Sequence, residues 1–120
     1  MNAKTIRPFI PSIDFEISKS FYKELGFRIT YEEEKMVILT LGEVSFFLQD
    51  AYVQLWAENT MIQLFVDDLE GLYDIALELQ KKYENIKLKE IHTPHYGKTF
   101  HLIGPAGVLW HMMEYNRKKN

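Results

Sequence analysis

The sequence predicts an α+β fold built from two halves that share the element order β-α-β-β-β. A helical pattern follows a short extended segment at about residue 14 and again at about residue 68. Three strand-like runs follow each of these helices. A chain of 120 residues is the size of one domain. We therefore assign residues 1–120 to a single domain, with a first module at 5–50 and a second at 60–115.

Both predicted helices begin at an aspartate suited to N-capping, followed by a glutamate in the first turn. In the first helix, Ile17, Phe21 and Leu25 fall on one face, and Gly26 is the expected C-cap. The second helix runs to about Tyr83. Its apolar face consists of Leu69, Leu72, Ala76 and Leu79.

The strands are predicted from short apolar or alternating runs between turn residues. After the first helix they are 27–31, Met36–Leu41 and Val44–Gln49. After the second helix they are 86–92, 98–103 and 108–115, and a further strand at 61–66 precedes that helix. Residues 50–60 are the expected connector between the halves. Pro8 and Pro11 lie in the first extended segment, which we expect to be short or at a sheet edge because proline cannot donate to a ladder.

Alternation along the strands sorts the side chains onto two faces. One face is apolar and is expected to meet the helices; it contains Val44, Phe46, Leu48, Ile62, Leu64, Val66, Val108, Trp110 and Met112. The other face is mixed and contains Ser45, Phe47, Gln49, Met61, Gln63, Phe65, Leu109, His111 and Met113. We place His101 on the helix-facing side. A mixed concave face suits a small-molecule site, although alternation alone slightly favours ordinary, partly solvated sheet residues.

Composition excludes several classes of function. The chain has no cysteine, so disulfides, thiolate metal sites and cysteine nucleophiles are excluded. No signal peptide and no membrane-spanning run is recognised, which predicts a cytoplasmic location with no membrane partner. A net charge of −3 argues against nucleic acid as a partner, and the basic residues at 117–119 are expected to form a solvated tail. Neither a nucleophile elbow nor a phosphate-binding glycine loop is present.

Four segments carry a resemblance to a known family. They are PSIDF at 11–15, FYKELGF at 21–27, the stretch 59–73, and HYG at 95–97 with GPAG at 104–107. In this order and spacing they resemble the vicinal-oxygen-chelate superfamily, which contains glyoxalase I, extradiol dioxygenases and the bleomycin-resistance proteins. The last group is the most similar. The resemblance implies two βαβββ modules, a curved mixed sheet with helices on its outer face, and a homodimer with clefts at the interface and an N-terminal segment that crosses to the partner.

The resemblance also implies where a metal would be held in the family's enzymes. Carried over by motif spacing, those four positions fall on Arg7, Phe47, Met61 and His111. Only the imidazole is a suitable ligand, and one ligand does not make a site. We therefore expect no metal and no cofactor, and a binding protein rather than an enzyme. A glyoxalase-type lyase or isomerase and a ligand-sensing module of the same fold are the alternatives.

The expected ligand is a flat aromatic, cationic drug that is sequestered at the dimer interface. The resemblance implies that Tyr96 stacks on the ligand, opposite the partner's hairpin containing Tyr31 and Met36, with the acidic run 32–34 suited to a cation. A solvated acidic hairpin is the alternative for that run. The predicted ligand-binding residues are Tyr31, Met36, Phe47, Trp56, Met61, Gln63, Tyr96, Phe100 and His111. His92 and His95 are expected to be surface loop residues.

Overall fold

The structure is a computed structural model that describes residues 1–115, so the predicted tail at 117–119 lies outside the described residues. The elements, in chain order, are β1 (Phe9–Pro11), α1 (Phe15–Leu25), β2 (Arg28–Glu33), β3 (Met36–Leu41), β4 (Val44–Gln49), α2 (Gln54–Ala57), β5 (Met61–Phe65), α3 (Leu69–Lys82), β6 (Lys87–Leu88), β7 (Gly97–Ile103) and β8 (Leu109–Tyr115). None of these helices is long and apolar enough to cross a membrane.

The strands form two four-stranded mixed sheets, one in each half of the chain. Their orders are β1-β4-β3-β2 and β5-β8-β7-β6. In each sheet the first strand of the half pairs in parallel with its last strand, and the remaining pairs are antiparallel. The predicted α+β fold with two βαβββ modules is confirmed, and β1 lies at a sheet edge as its prolines indicated.

The predicted helix ends are also confirmed. An Asp14 carboxylate oxygen accepts a hydrogen bond from the Ile17 amide at 3.1 Å, and Asp68 does the same for the Gly71 amide at 3.0 Å. Gly26 ends α1 with a φ of 132°, a conformation that a side chain would oppose. The prediction for Ile17 was wrong, because this side chain is 49% exposed at the margin of the buried stripe of α1.

A single hydrophobic core joins the two modules. The Trp110 ring of β8 packs against Tyr22 of α1 and Phe46 of β4, with ring centroids 5.7 and 5.4 Å apart. The Trp110 indole N–H donates to the Tyr22 hydroxyl at 3.2 Å. Burial raises the pKa of Tyr22. Because both partners are buried, the hydrogen bond satisfies polar groups that would otherwise destabilise the fold.

Two elements differ from the predicted pattern. The connector contains the short helix α2. Four residues are too few for a periodic apolar pattern, so the sequence did not predict this helix. The strand predicted at 86–92 is reduced to Lys87–Leu88, with an isolated bridge between His92 and Thr99. It is an edge strand, and its hydrogen bonding to β7 is interrupted between Lys89 and His92.

Candidate functional site

Each sheet has one face against the helices and one face free of them. The register places Phe9, Phe47, Ile38 and Tyr31 side by side across the first sheet. It places Gln63, His111 and His101 side by side across the second. We call the free face of the first sheet, around the Phe9 row, the first open face, and that of the second sheet, around the His111 row, the second open face. Ser45 of one and Gln63 of the other line a shared hollow of about 330 Å³, so the two open faces adjoin.

The first open face is dominated by aromatic rings. Phe9 and Phe47 stack face to face, with centroids 4.5 Å apart and planes 12° from parallel. Phe9 remains 54% exposed, and its strand mate Ile10 is fully buried. The Arg7 guanidinium lies 5.9 Å from the centre of the Phe47 ring, and its Nε donates to the Ser45 hydroxyl at 2.7 Å. This face offers a flat apolar surface with a cation beside it.

The acidic run at the hairpin does not present its carboxylates to one side. Glu32 points toward the helices and lies 3.7 Å from the Lys19 ammonium. Glu33 is on the first open face, where it accepts a hydrogen bond of 2.5 Å from the Tyr31 hydroxyl. That hydrogen bond raises the pKa of Tyr31. Two of the three acidic groups therefore already have partners.

The second open face carries a pair of hydrogen-bonded imidazoles. His101 Nε2 lies 3.0 Å from His111 Nδ1, and His92 stacks on His101 with a centroid distance of 5.8 Å. The neighbouring Gln63 donates to the sulfur of Met113 at 3.1 Å. Burial lowers the pKa of His101, and the charges of His111, His92 and Lys89 lower it further. His101 therefore favours its uncharged form.

Two predictions on β7 were wrong, and they share one cause. His101 lies on the second open face and not on the helix-facing side, because it pairs directly with His111. Phe100 accordingly points the other way. It is 0% exposed and packs against Tyr73 of α3, with centroids 5.0 Å apart, so it cannot contact a ligand in this chain.

The other predicted ligand-binding residues divide among four places. Tyr31, Met36 and Phe47 lie on the first open face, and Met61, Gln63 and His111 lie on the second. Trp56 of α2 is 71% exposed and lines a small hollow that it shares with Phe9. Tyr96 lies in the loop before β7, with its ring 5.3 Å from that of His95 and nearly perpendicular to it. Within one chain, these residues are not shown to meet in a single cavity.

Sequence reasoning missed several residues that the free faces bring together. Phe9 was missed although it alternates with the buried Ile10 in a strand flanked by prolines, which was a usable signal. His101 needed the register of β7 against β8. Lys87 and Lys89 join His101 around a hollow of about 470 Å³, and no local pattern identifies that association.

Known structures share this architecture, whereas no family model and no curated protein matches the chain. A bleomycin-binding protein complexed with bleomycin is 22% identical, with a TM-score of 0.78 over 95% of this chain and 100% of that one. A bleomycin resistance determinant encoded on the transposon Tn5 is 21% identical, with a TM-score of 0.79 over 96% and 100%. Lactoylglutathione lyase from Agrobacterium tumefaciens is 13% identical, with a TM-score of 0.69 over 95% and 96%.

The chain has the glyoxalase/bleomycin-resistance fold. The fold that the resemblance implied is thereby confirmed, and the likeness extends over nearly the whole length of each structure. At these sequence identities the structural likeness establishes the fold alone. Proteins of unrelated function share this fold, so the ligand depends on the residues of the site.

The side chains at the four positions predicted for the metal ligands of this glyoxalase/bleomycin-resistance fold do not fit a metal. Arg7 donates a hydrogen bond to Ser45, and Phe47 is stacked on Phe9. The His111 ring is hydrogen-bonded to that of His101. Met61 supplies only a thioether, a poor ligand for hard or borderline divalent ions. Within residues 1–115, no group of three or more histidine, cysteine, aspartate or glutamate side chains is arranged to hold a metal ion.

Proposed function

We propose that the protein binds a flat aromatic small molecule on its open faces and sequesters it without chemical change. The observation that carries this proposal is the exposed stack of Phe9 on Phe47. Exposed parallel rings offer an aromatic ligand a third layer to stack on, and offset stacking contributes about 0.5–1.5 kcal/mol beyond area burial. Gln63 and His111 on the adjoining face supply the polar groups that orient a ligand.

The comparisons support ligand binding of this kind. Two of the similar structures are described as a bleomycin-binding protein and a bleomycin resistance determinant. The cationic charge expected of the ligand is not part of the proposal. Glu32 forms an ion pair with Lys19, and Glu33 accepts a hydrogen bond from Tyr31. These two carboxylates therefore do not form a negatively charged surface beside the stacked rings.

We further propose that two copies of the chain cover the open faces as a homodimer. The open faces carry large apolar side chains that are more than one third exposed: Phe9, Tyr31, Met61 and Tyr115. Exposed apolar surface on a small protein can mark an interaction site when it is extensive. Sedimentation at micromolar concentration and neutral pH should show a dimer. A monomer under those conditions would overturn the interface cleft.

The proposal places Tyr96 of one copy against the ligand, opposite the Tyr31 and Met36 hairpin of the other. Tyr96 is 48% exposed and lies in the loop just before β7, where truncation removes little core contact. Tyr96→Ala should weaken ligand binding roughly tenfold, or about 1.4 kcal/mol, with a much smaller effect on stability. Tyr96→Trp should retain or strengthen binding.

A thermal-shift screen with bleomycin and other flat aromatic compounds tests the proposal, because a ligand that binds only the native state raises its melting temperature. A compound found in this way is then titrated into the parent, Tyr96→Ala and Tyr96→Trp. Unfolding of Tyr96→Ala would show that Tyr96 is a core residue. Unchanged affinity of a stable Tyr96→Ala would remove its stacking role.

A lyase or isomerase is the second candidate function. The likeness to lactoylglutathione lyase and the hydrogen-bonded imidazoles of His101 and His111 favour it, since such a pair can exchange a proton with a bound substrate. Elemental analysis of protein purified without chelator separates the two candidates. Stoichiometric zinc, nickel, iron or manganese that resists dialysis would favour the enzyme, and unaltered ligand recovered from the complex would favour sequestration.

A further inference from the structure

The second open face contains a hollow of about 470 Å³ that the predicted ligand site did not include. Its volume is within the range of small-molecule sites, about 300–1,000 Å³. Ile103 and Leu109, which pair directly across β7 and β8, form its apolar floor. Lys87 pairs with Ile103 on the other side, and the Lys89 amide donates to the His101 carbonyl at 3.0 Å. The backbone therefore fixes both lysines beside the floor.

The charge around this hollow has one sign. Lys87 and Lys89 line it as cations beside His101, and none of its lining residues within 1–115 is acidic. Four other lysines have carboxylate partners: Lys19 with Glu16 and Glu32, Lys81 with Glu78, Lys82 with Glu24 and Lys98 with Glu70.

Lys87 and Lys89 differ from those lysines, because neither forms an ion pair with any residue of the described range 1–115. Glu58 lines the adjacent hollow together with Lys87. Its carboxylate accepts a hydrogen bond from Gln54 at 3.1 Å. Two cations beside an apolar floor thus have no ion-pair partner in the described part of the chain.

We infer that this hollow binds the anionic group of an apolar or aromatic ligand, a carboxylate or a sulfonate. The floor of Ile103 and Leu109 accommodates the apolar body, and Lys87 and Lys89 pair with the charge. The inference rests on the proposed function in one respect only, that the open faces hold a small molecule. The inferred ligand is anionic, whereas the acidic run in the sequence predicted a cationic ligand.

Two probes with the same ring and opposite charge test the inference. Naphthalenesulfonate and naphthylmethylammonium are titrated into the intact protein and followed by calorimetry. The sulfonate should bind about fivefold more tightly, the scale of two exposed ion pairs, and its affinity should fall as salt is added. Lys87→Gln combined with Lys89→Gln should abolish the preference.

The matched control removes the same charge elsewhere. Lys23→Gln combined with Lys81→Gln changes two exposed lysines on α1 and α3 and should leave the preference intact. Equal affinity for the two probes, or a preference that survives in the Lys87/Lys89 variant, would overturn the inference while ring binding stands. If neither probe binds but bleomycin raises the melting temperature, the inference fails and the proposed function stands. If no aromatic compound binds, both fail.

Discussion

The two modules have the same topology but differ in what their open faces expose. Across the first sheet the central row consists of Phe9, Phe47, Ile38 and Tyr31, which is aromatic or aliphatic throughout. Across the second sheet the corresponding row consists of Gln63, His111 and His101, which is polar and partly ionisable. The helix-facing sides are alike, since both are built from buried apolar residues.

This difference separates the positions that make the fold from those that make the site. Both modules need an aspartate at the start of the helix and buried apolar side chains on the helix-facing side of the sheet, and both have them. The open faces are under no such requirement, so one can supply ring surfaces and the other hydrogen bonds and charge. A ligand that spans the shared hollow between Ser45 and Gln63 would use both kinds of contact.

The largest expected effect concerns the core that holds the two faces in place. Trp110→Ala should destabilise the whole chain by about 3–5 kcal/mol, because the ring fills the space between Tyr22, Phe27 and Phe46. Trp56→Ala is the matched control and should change stability by less than about 0.5 kcal/mol, since that ring is exposed. Urea unfolding measures both. A biphasic transition in the parent would show that the two modules unfold separately, as independent units.

The next effect distinguishes the two open faces directly. Phe9→Ala should weaken binding of a flat aromatic ligand roughly tenfold, since it removes one ring of the exposed stack. Phe65→Ala is matched to it, because Phe65 stacks on Tyr115 on the second open face with centroids 4.0 Å apart. Calorimetric titration of both variants should show the larger loss for Phe9→Ala. Equal losses would mean that ring binding is not confined to the first open face.

Much of the scaffold was predictable because its signals are local. An aspartate before an amphipathic run, Gly26 after it and alternation within β4, β5 and β8 each depend on neighbours in sequence. These signals gave the element order, the helix ends and the helix-facing sides of those strands. The resemblance of four short segments then added the family fold, which the structural neighbours confirm.

The site was less predictable because it depends on pairing between distant segments. Along β7 both alternating sets contain apolar residues, with Phe100 and Leu102 in one and Ile103 in the other. Alternation alone cannot decide which set faces the helices, and the wrong choice misplaced His101 and Phe100 together. Only the register against β8 decides it, and that register joins residues far apart in sequence.

The smallest expected effect is a pH dependence that belongs to the second open face alone. Burial is the main cause that lowers the pKa of His101 below its usual value of 6.5, so the folded protein binds this proton less readily than the unfolded chain. The stability contribution is therefore complete above pH 6.5 and is lost as the pH falls through the lowered pKa. The groups that face His101 are His111 on β8, His92 and Lys89 on the β6 side, and each of them lowers the pKa of His101 further.

Thermal unfolding followed from pH 7.5 down to about 5.5 should show a falling melting temperature, because the unfolded chain takes up protons over this range. His101→Gln should flatten that profile, since glutamine does not titrate and can still hydrogen-bond to His111. The same substitution should leave the affinity for a flat aromatic ring on the first open face almost unchanged, as His101 lies in the other sheet. An equally steep profile in His101→Gln would assign the acid sensitivity to other groups, and a large loss of ring binding would show that the two open faces act on the ligand as one surface.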